Sequence, residues 1–406
     1  MKKVALVLIA IGLVATSCAG GSRSVVIGAM YPTGGGQGPG GVEEYRGVQL
    51  AADLVNSRGG IGGKPIRLEL VPADSADRVS GAMSALRKRG AKIIMGSYGS
   101  TMSTVAARIA ARSDVLFWET GAVGLLPQVT SGHVFRMPAT GMTLGAAAVD
   151  FVRTKVVSAK ATYGIAYVDD VYGRSVGEGA FRAARAAGLP TVEFPYAVRG
   201  TDFNALARKI RAEHVDVLVV GAYLTDGVAL RRALVAQHVP LKANIGTSSS
   251  YCMPQFGKTL GAAAVGVYAS DKPDASSIPS GVLTKQADAE LRWADAQYRK
   301  RFHEEMEAPA LTGFAGAMAL FGHVLPHAKN TTVNAVAQAA KQTTIPSLGL
   351  PNGSGLQFNT AAGVSENVRA ASVIWKWVAP NQRAVIWPPV FVHAHVTWSG
   401  EMYNNE

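Results

Sequence analysis

Cysteine is nearly missing from this 406-residue chain, with only Cys18 and Cys252 present. A disulfide-stapled scaffold is therefore excluded, and core burial must hold the fold. Cys252 is expected as a semi-buried small hydrophobe. Acids are also short in supply: 28 Asp and Glu face 40 Lys and Arg, giving +12, or +10 without Lys2 and Lys3. The positive clusters Arg87-Lys88-Arg89, Arg208-Lys209-Ile210-Arg211, Arg231-Arg232 and Arg299-Lys300-Arg301 fall on the polar sides of apparent helices, without interleaved aromatics. That pattern describes solvated helix faces and argues against a nucleic-acid partner. Beyond the first eighteen residues, no stretch reads as long and apolar enough to cross a bilayer. Metal-ligand patterns are lacking as well. His393 and His395 have no evident partner, and His323 and His327 flank Pro326, so surface histidines are the reading and no metal or other cofactor is expected. Ser248 to Ser250 lack a G-x-S-x-G elbow, and no nucleophile–base pair stands out, so no enzymatic activity is expected.

What is present begins at the N-terminus. Lys2 and Lys3 precede the apolar run Val4 to Val14, and Ala15-Thr16-Ser17-Cys18 closes it. This order reads as a signal peptide over residues 1–18, too short for a span. An uncleaved anchor helix is the alternative. Small residues followed by cysteine resemble the lipobox of bacterial lipoproteins. The resemblance implies lipidation at Cys18 and an extracytoplasmic chain tethered to the cell membrane.

After a Gly/Ser linker (residues 19–24), strands and helices alternate. Val25 to Met30 reads as a buried strand, Gly34 to Gly41 as a glycine-rich loop, and Val42 to Asn56 as a helix with Val42, Tyr45, Val48, Ala52 and Val55 on one stripe. Ile66 to Leu70, Ile93 to Met95 and Val115 to Trp118 read as strands, with helices at Val79 to Arg89 and Thr101 to Arg112. The rhythm restarts after Pro138: strands at Tyr163 to Val168, Val192 and Val217 to Val220 alternate with helices at Leu144 to Val152, Ser175 to Ala187, Phe203 to Arg211 and Val228 to Gln237. Residues 284 to 340 read as helical and the tail as strand-rich. Repeated β-α units predict an α/β fold of doubly wound parallel sheets, and two runs of them predict two lobes.

The ordered set Ile27-Gly28-Ala29-Met30-Tyr31-Pro32-Thr33-Gly34, Gly47 to Gly63, Ile94-Met95-Gly96 with Ser100-Thr101, Asp169 to Gly173, Gly200 to Phe203, Asp216-Val217 and Gly355 to Gly363 resembles a known family. It is similar to the type I extracellular solute-binding proteins of ABC transporters, in the Leu/Ile/Val-binding branch. The resemblance implies two lobes joined by a three-crossing hinge: residues 25–137 plus 272–347 as lobe I, 138–271 plus 348–398 as lobe II, and 399–406 as a tail. It also implies a small-molecule ligand in the interlobe cleft and permease subunits as membrane partners.

Gly96 to Thr101 joins a buried strand to a helix start, where free N–H groups and a partial positive charge gather. Ser100 and Thr101 add hydroxyls, with an ordinary N-cap as the alternative. The resemblance assigns Ser100 to a ligand carboxylate and Gly121 and Ala122 to the opposite wall. It places Val123 where the family has an ammonium-binding threonine, and Ser248 where it has an acid. A free α-amino acid is therefore disfavoured, since an unpaired buried ammonium is costly. A carboxylate or amide with an apolar or aromatic body fits better. The resemblance adds Tyr172 and Tyr223 from lobe II, with core packing as the alternative; Tyr98 and Gln37 are further candidate ligand contacts, with Glu119 or Asp226 as possible sources of negative charge. Gly36-Gln37-Gly38-Pro39-Gly40-Gly41 matches the dinucleotide pattern G-x-G-x-x-G. However, the next strand-end acid, Glu69, stands 33 residues past Gly36 instead of about 20, and Pro39 removes an N–H. The expectation is a receptor that delivers its solute to a permease. A ligand sensor of the same fold or a secreted α/β enzyme are the alternatives.

Overall fold

The computed structural model describes residues 24–392, apart from 125, 128, 130, 158, 159, 198 and 360–362. Cys18, His393 and His395 lie outside the described residues. The strands are β1 (Val25–Met30), β2 (Ile66–Leu70), β3 (Ile93–Gly96), β4 (Leu116–Glu119), β5 (Val134–Arg136), β6 (Tyr163–Val168), β7 (Thr191–Tyr196), β8 (Val217–Gly221), β9 (Ala243–Thr247), β10 (Tyr268–Asp271), β11 (Phe358–Asn359), β12 (Val364–Asn367), β13 (Val373–Ala379) and β14 (Gln382–Trp387). The helices are α1 (Gly38–Ser57), α2 (Val79–Lys88), α3 (Ser100–Ala110), α4 (Gly141–Lys155), α5 (Val171–Ala186), α6 (Phe203–Ala212), α7 (Leu224–Ala236), α8 (Pro254–Leu260), α9 (Lys285–Phe302), α10 (Ala308–Met318) and α11 (Val333–Gln342).

These strands form two seven-stranded sheets. One runs β11-β12-β5-β4-β3-β1-β2 and the other β14-β13-β10-β9-β8-β6-β7. Strands from β2 through β12 in the first sheet, and from β7 through β10 in the second, pair in parallel. Antiparallel β11, β13 and β14 complete the edges. Strands such as β3, β4, β8 and β9 are buried along their whole length. That is why β3, β4 and β8 read as continuous apolar runs instead of alternating ones, whereas β9, with Asn244 and Thr247, does not. The result is two doubly wound α/β lobes.

The third crossing differs from the sequence expectation. That expectation places residues 348–367 in lobe II, yet β12 pairs with β5 and β11 with β12, both in the lobe I sheet. Phe358 explains the placement. Its ring packs edge-on against Phe135 at 4.9 Å and Trp118 at 5.6 Å, inside the lobe I core. The chain returns to lobe II only at β13.

The first helix also starts earlier than expected. It begins at Gly38, with Pro39 in its first turn, so the second half of the glycine-rich segment is helical. Its buried seam runs through Gly40, Gly41, Glu44, Gly47, Val48 and Ala51, while Val42 and Tyr45 of the expected stripe are only half-buried. Glycines allow α1 to lie directly on α10. A Cβ on Gly47 would stand 2.0 Å from the Ala310 carbonyl oxygen, and one on Gly313 would stand 2.1 Å from that of Glu44.

One stretch does have the length and apolarity of a membrane span, contrary to the expectation from sequence. It is Ala308–His327, and 83% of its apolar 18-residue window is buried inside lobe I. Pro326 breaks its regularity: α10 passes into a π-helical turn at Ala319–Val324 and a 3-10 turn at Leu325–His327.

Candidate functional site

Ligands of open α/β sheets bind beyond the carboxyl ends of the strands. Here those ends face each other. Gly96, Glu119, Gly221, Thr247 and Asp271 end β3, β4, β8, β9 and β10, and the segments after them line an interlobe cavity of about 870 Å³ and a small neighbour of about 10 Å³. Gln37, Tyr98, Tyr223, Ser248 and Lys272 line both. Ser100, Gly121 and Tyr172 line only the small one. Thr101, Ala122 and Asp226 line neither, and in this they depart from the sequence expectation.

For Asp226 and Ala122 the cause is visible. The Asp226 carboxyl accepts from the Tyr196 hydroxyl within lobe II. Burial, the largest influence, lifts its pKa, and the Tyr196 contact opposes this. Ala122 donates its N–H to Glu119 at 2.6 Å and so faces the core. Glu119 is itself fully buried beneath the loop and also accepts from Gly121 N–H at 3.0 Å, so it offers no charge to the cavity.

Ser100 is the first residue of α3, and Gly99 is the cap position without a side-chain cap bond. Its hydroxyl is therefore not used as an N-cap. It accepts from Gly124 N–H at 2.9 Å and braces the 121–124 loop. That loop is wedged between the lobes: a Cβ on Gly124 would meet Ser100 at 2.6 Å and Val171 of lobe II at 3.0 Å. The space beside Ser100 is consequently about the size of one water, and the larger room lies toward Glu43, Asp271 and Glu307.

The tyrosines split in role. The Tyr172 hydroxyl is used inside lobe II, 3.2 Å from the Ala222 carbonyl, 3.1 Å from the Thr247 hydroxyl and against the Ser248 carbonyl. Its ring supports Tyr223, with centroids 5.0 Å apart. Tyr223 donates to Asp170 at 2.7 Å and receives Gln37 Nε2 from lobe I at 3.5 Å. Tyr98 and Ser249 both have positive φ, +69° and +74°, and their side chains meet across the cleft. Gly40 makes room for Tyr98, because a Cβ there would stand 2.2 Å from its ring.

Three charged residues escaped the sequence reading. Lys272, 5% exposed, donates to the Gly121 carbonyl at 3.1 Å. Asp271 is 2% exposed, and its Oδ1 has no hydrogen-bond partner. Glu44 lies under Gly121, accepts from Thr120 Oγ1 at 2.5 Å and leaves Oε2 unpartnered. Burial, reinforced by the Glu119 charge, pushes the Glu44 carboxyl up to about 8. Burial likewise pushes Glu119 up to about 7, opposed by Arg136. One signal for Glu44 existed: an acid spaced three or four residues from Gly40, Gly41, Gly47 and Val48 shares their helix face.

Two facing doubly wound lobes, with a cavity at the carboxyl ends of both sheets, define a two-lobed ligand-capturing protein. The chain belongs to the periplasmic binding protein family, whose model matches residues 24–373. That family binds solutes and works outside the cytoplasm. A curated relative, Leu/Ile/Val-binding protein homolog 8 of Brucella suis, is 27% identical over 90% of this chain and 91% of its own. Among solved structures, an extracellular ligand-binding receptor from Rhodopseudomonas palustris HaA2 has 19% identity and a TM-score of 0.75, over 90% of this chain and all of that one. A leucine-binding protein from Thermotoga maritima has 16% identity and a TM-score of 0.75, over 89% and 98%. A fatty acid ABC transporter substrate-binding protein from Thermomonospora curvata has 18% identity and a TM-score of 0.70, over 90% and 91%. At these identities the solved structures establish the fold.

Proposed function

We propose that this protein captures a small polar molecule bearing a carboxylate or amide in the interlobe cleft and delivers it to an ABC-type permease, tethered by lipid at Cys18. The observation that carries this reading is the roughly 870 Å³ cavity between the lobes, within the range of small-molecule sites and lined from both sheets. The names of the relatives support transport as the setting. The cation at Lys272 and the amides at the head of α3 supply the attraction for an anionic or polarised oxygen. Val123, 3% exposed and apolar, and Ser248 offer no carboxylate where the family resemblance would put an ammonium.

A thermal-shift screen of carboxylates, amides, amino acids and sugars tests the reading. A ligand present at about 100-fold its Kd adds about 2.7 kcal/mol of stability. Tyr223→Ala removes both the Asp170 bond and the bridge to Gln37. It is expected to weaken the best hit about tenfold, with folding retained. Ser100→Ala frees the 121–124 loop and should weaken the same hit by a smaller factor. Unchanged affinity in both variants places the ligand elsewhere.

A further inference from the structure

The N-terminal strand enters lobe I at the end of the sheet farthest from the cleft. Val25 opens β1, and its N–H donates to the Pro65 carbonyl at 2.9 Å. Val25 pairs with Ile66 on one side. On the other, Ile27 pairs with Ile93, which sets Lys92 level with Val26. The cleft lies past the opposite ends of these same strands.

Charge at the entry end is one-sided. From Val79 to Trp118 the chain carries six Lys and Arg but one acid, Asp114. Asp114 contacts Lys92 and is also faced by His133 and Arg87. Arg89 pairs with Glu69 at 3.3 Å. Lys64, Arg87, Lys88, Arg108 and Arg112 are exposed, and among the described residues none of the five forms an ion pair. They come from the turn before β2 and from the ends of α2 and α3, which lead into β3 and β4. A helix dipole favours bases in a last turn. Elsewhere in the molecule, however, such bases meet acids: Arg153 meets Asp150 at 2.8 Å in α4, and Arg299 meets Asp295 at 3.1 Å in α9.

Six residues separate Cys18 from Val25, so at most about 25 Å of chain joins the two. A lipid at Cys18 keeps this end of lobe I within about three screening lengths of the bilayer at physiological salt.

We propose that the basic end of lobe I docks on anionic phospholipid headgroups, with Lys64, Arg87, Lys88, Arg108 and Arg112 as its contacts. This rests on the lipid tether proposed above and adds a posture. Lobe I stands on the bilayer, the cleft is raised above it by the height of that lobe, and delivery to a permease requires the receptor to tip over.

The test is co-sedimentation of the unacylated mature chain from Ala19, which keeps every described residue, with lipid vesicles. The vesicles are phosphatidylcholine alone or with about 30% phosphatidylglycerol. Binding to the anionic vesicles is expected at about 0.05 M salt and should vanish at about 0.5 M. Arg87→Gln with Lys88→Gln should weaken it about 30-fold. Arg208→Gln with Arg211→Gln, equally exposed in the last turn of α6 in lobe II, should change it by less than about twofold. The proposal is overturned if the two double variants lose equally, since net charge alone would then explain the binding. It is also overturned if phosphatidylcholine alone binds as well, or if the chain binds neither vesicle at about 0.05 M salt. Binding that requires permease in the vesicle gives the face to a protein partner and likewise overturns it. Intact mass of the protein extracted from membranes reads acylation separately: an unacylated Cys18 with vesicle binding retained removes the tether and leaves the docking face standing.

Discussion

Between pH 5 and pH 8 the protein is expected to lose about 4 kcal/mol of stability through Glu44 alone. The sign is set by where the proton sits. Glu44 ionises near its ordinary 4.5 in the unfolded chain but only at about 8 when folded, because burial and the neighbouring Glu119 disfavour its charge. Throughout that window the folded form holds the extra proton. Stability is therefore complete below about pH 4.5 and drains away as pH rises through 8. Glu119, raised to about 7, acts in the same direction. Urea titrations at pH 5 and pH 8 measure the effect. Glu44→Gln keeps the shape and an acceptor for Thr120 but cannot ionise, so over the same interval it should lose about 4 kcal/mol less than wild type. Equal losses would mean that Glu44 is not the group responsible.

Gly121→Ala should destabilise the fold by about 3 kcal/mol, although a Gly-to-Ala change in a permissive backbone usually helps by up to about 1 kcal/mol. The added Cβ would stand 1.8 Å from Glu44 Oε2. The carboxyl has no room to retreat, being fully buried and held by Thr120, which in turn contacts the Tyr31 hydroxyl at 2.7 Å. The strain should reach the cleft as well, because the Gly121 carbonyl holds Lys272. Combining Gly121→Ala with Glu44→Ala removes the clash, so the pair should be more stable than the two separate losses imply. Strict additivity in urea midpoints would show that Gly121 is tolerated there for another reason.

The lobes were legible because buried parallel strands write themselves as short apolar runs between helices. Tyr163 to Val168 was read to its true ends. Val134–Arg136 was missed because it is three residues long and carries a buried arginine, which burial holds below its usual pKa and which contacts the Gly124 carbonyl. Phe358 was given to the wrong lobe because its partners, Phe135 and Trp118, are more than 200 residues away. Within the site, Ser100, Gly121 and Tyr223 follow strands that are plain in the sequence and stand at the cleft, whereas Ser248 follows Ala243–Thr247, a strand with Asn244 and Thr247 in it, and only the family resemblance pointed to it. Glu44, Asp271 and Lys272 were missed, because their meaning lies in charges that meet only after folding. Asp226 misled for the converse reason: nothing local reveals that Tyr196 claims its carboxyl.

The buried segment Ala308–His327 also governs the fate of the chain once its fold is lost. Heat releases twenty residues of nearly uncharged chain into water, where the cheapest partner is the same segment of another molecule. Thermal melts at micromolar concentration should therefore end in precipitate and depend on scan rate. Urea, which solvates apolar surface, should give transitions that retrace on dilution. A heated sample that cools back to its full original signal would show that this stretch does not associate when exposed.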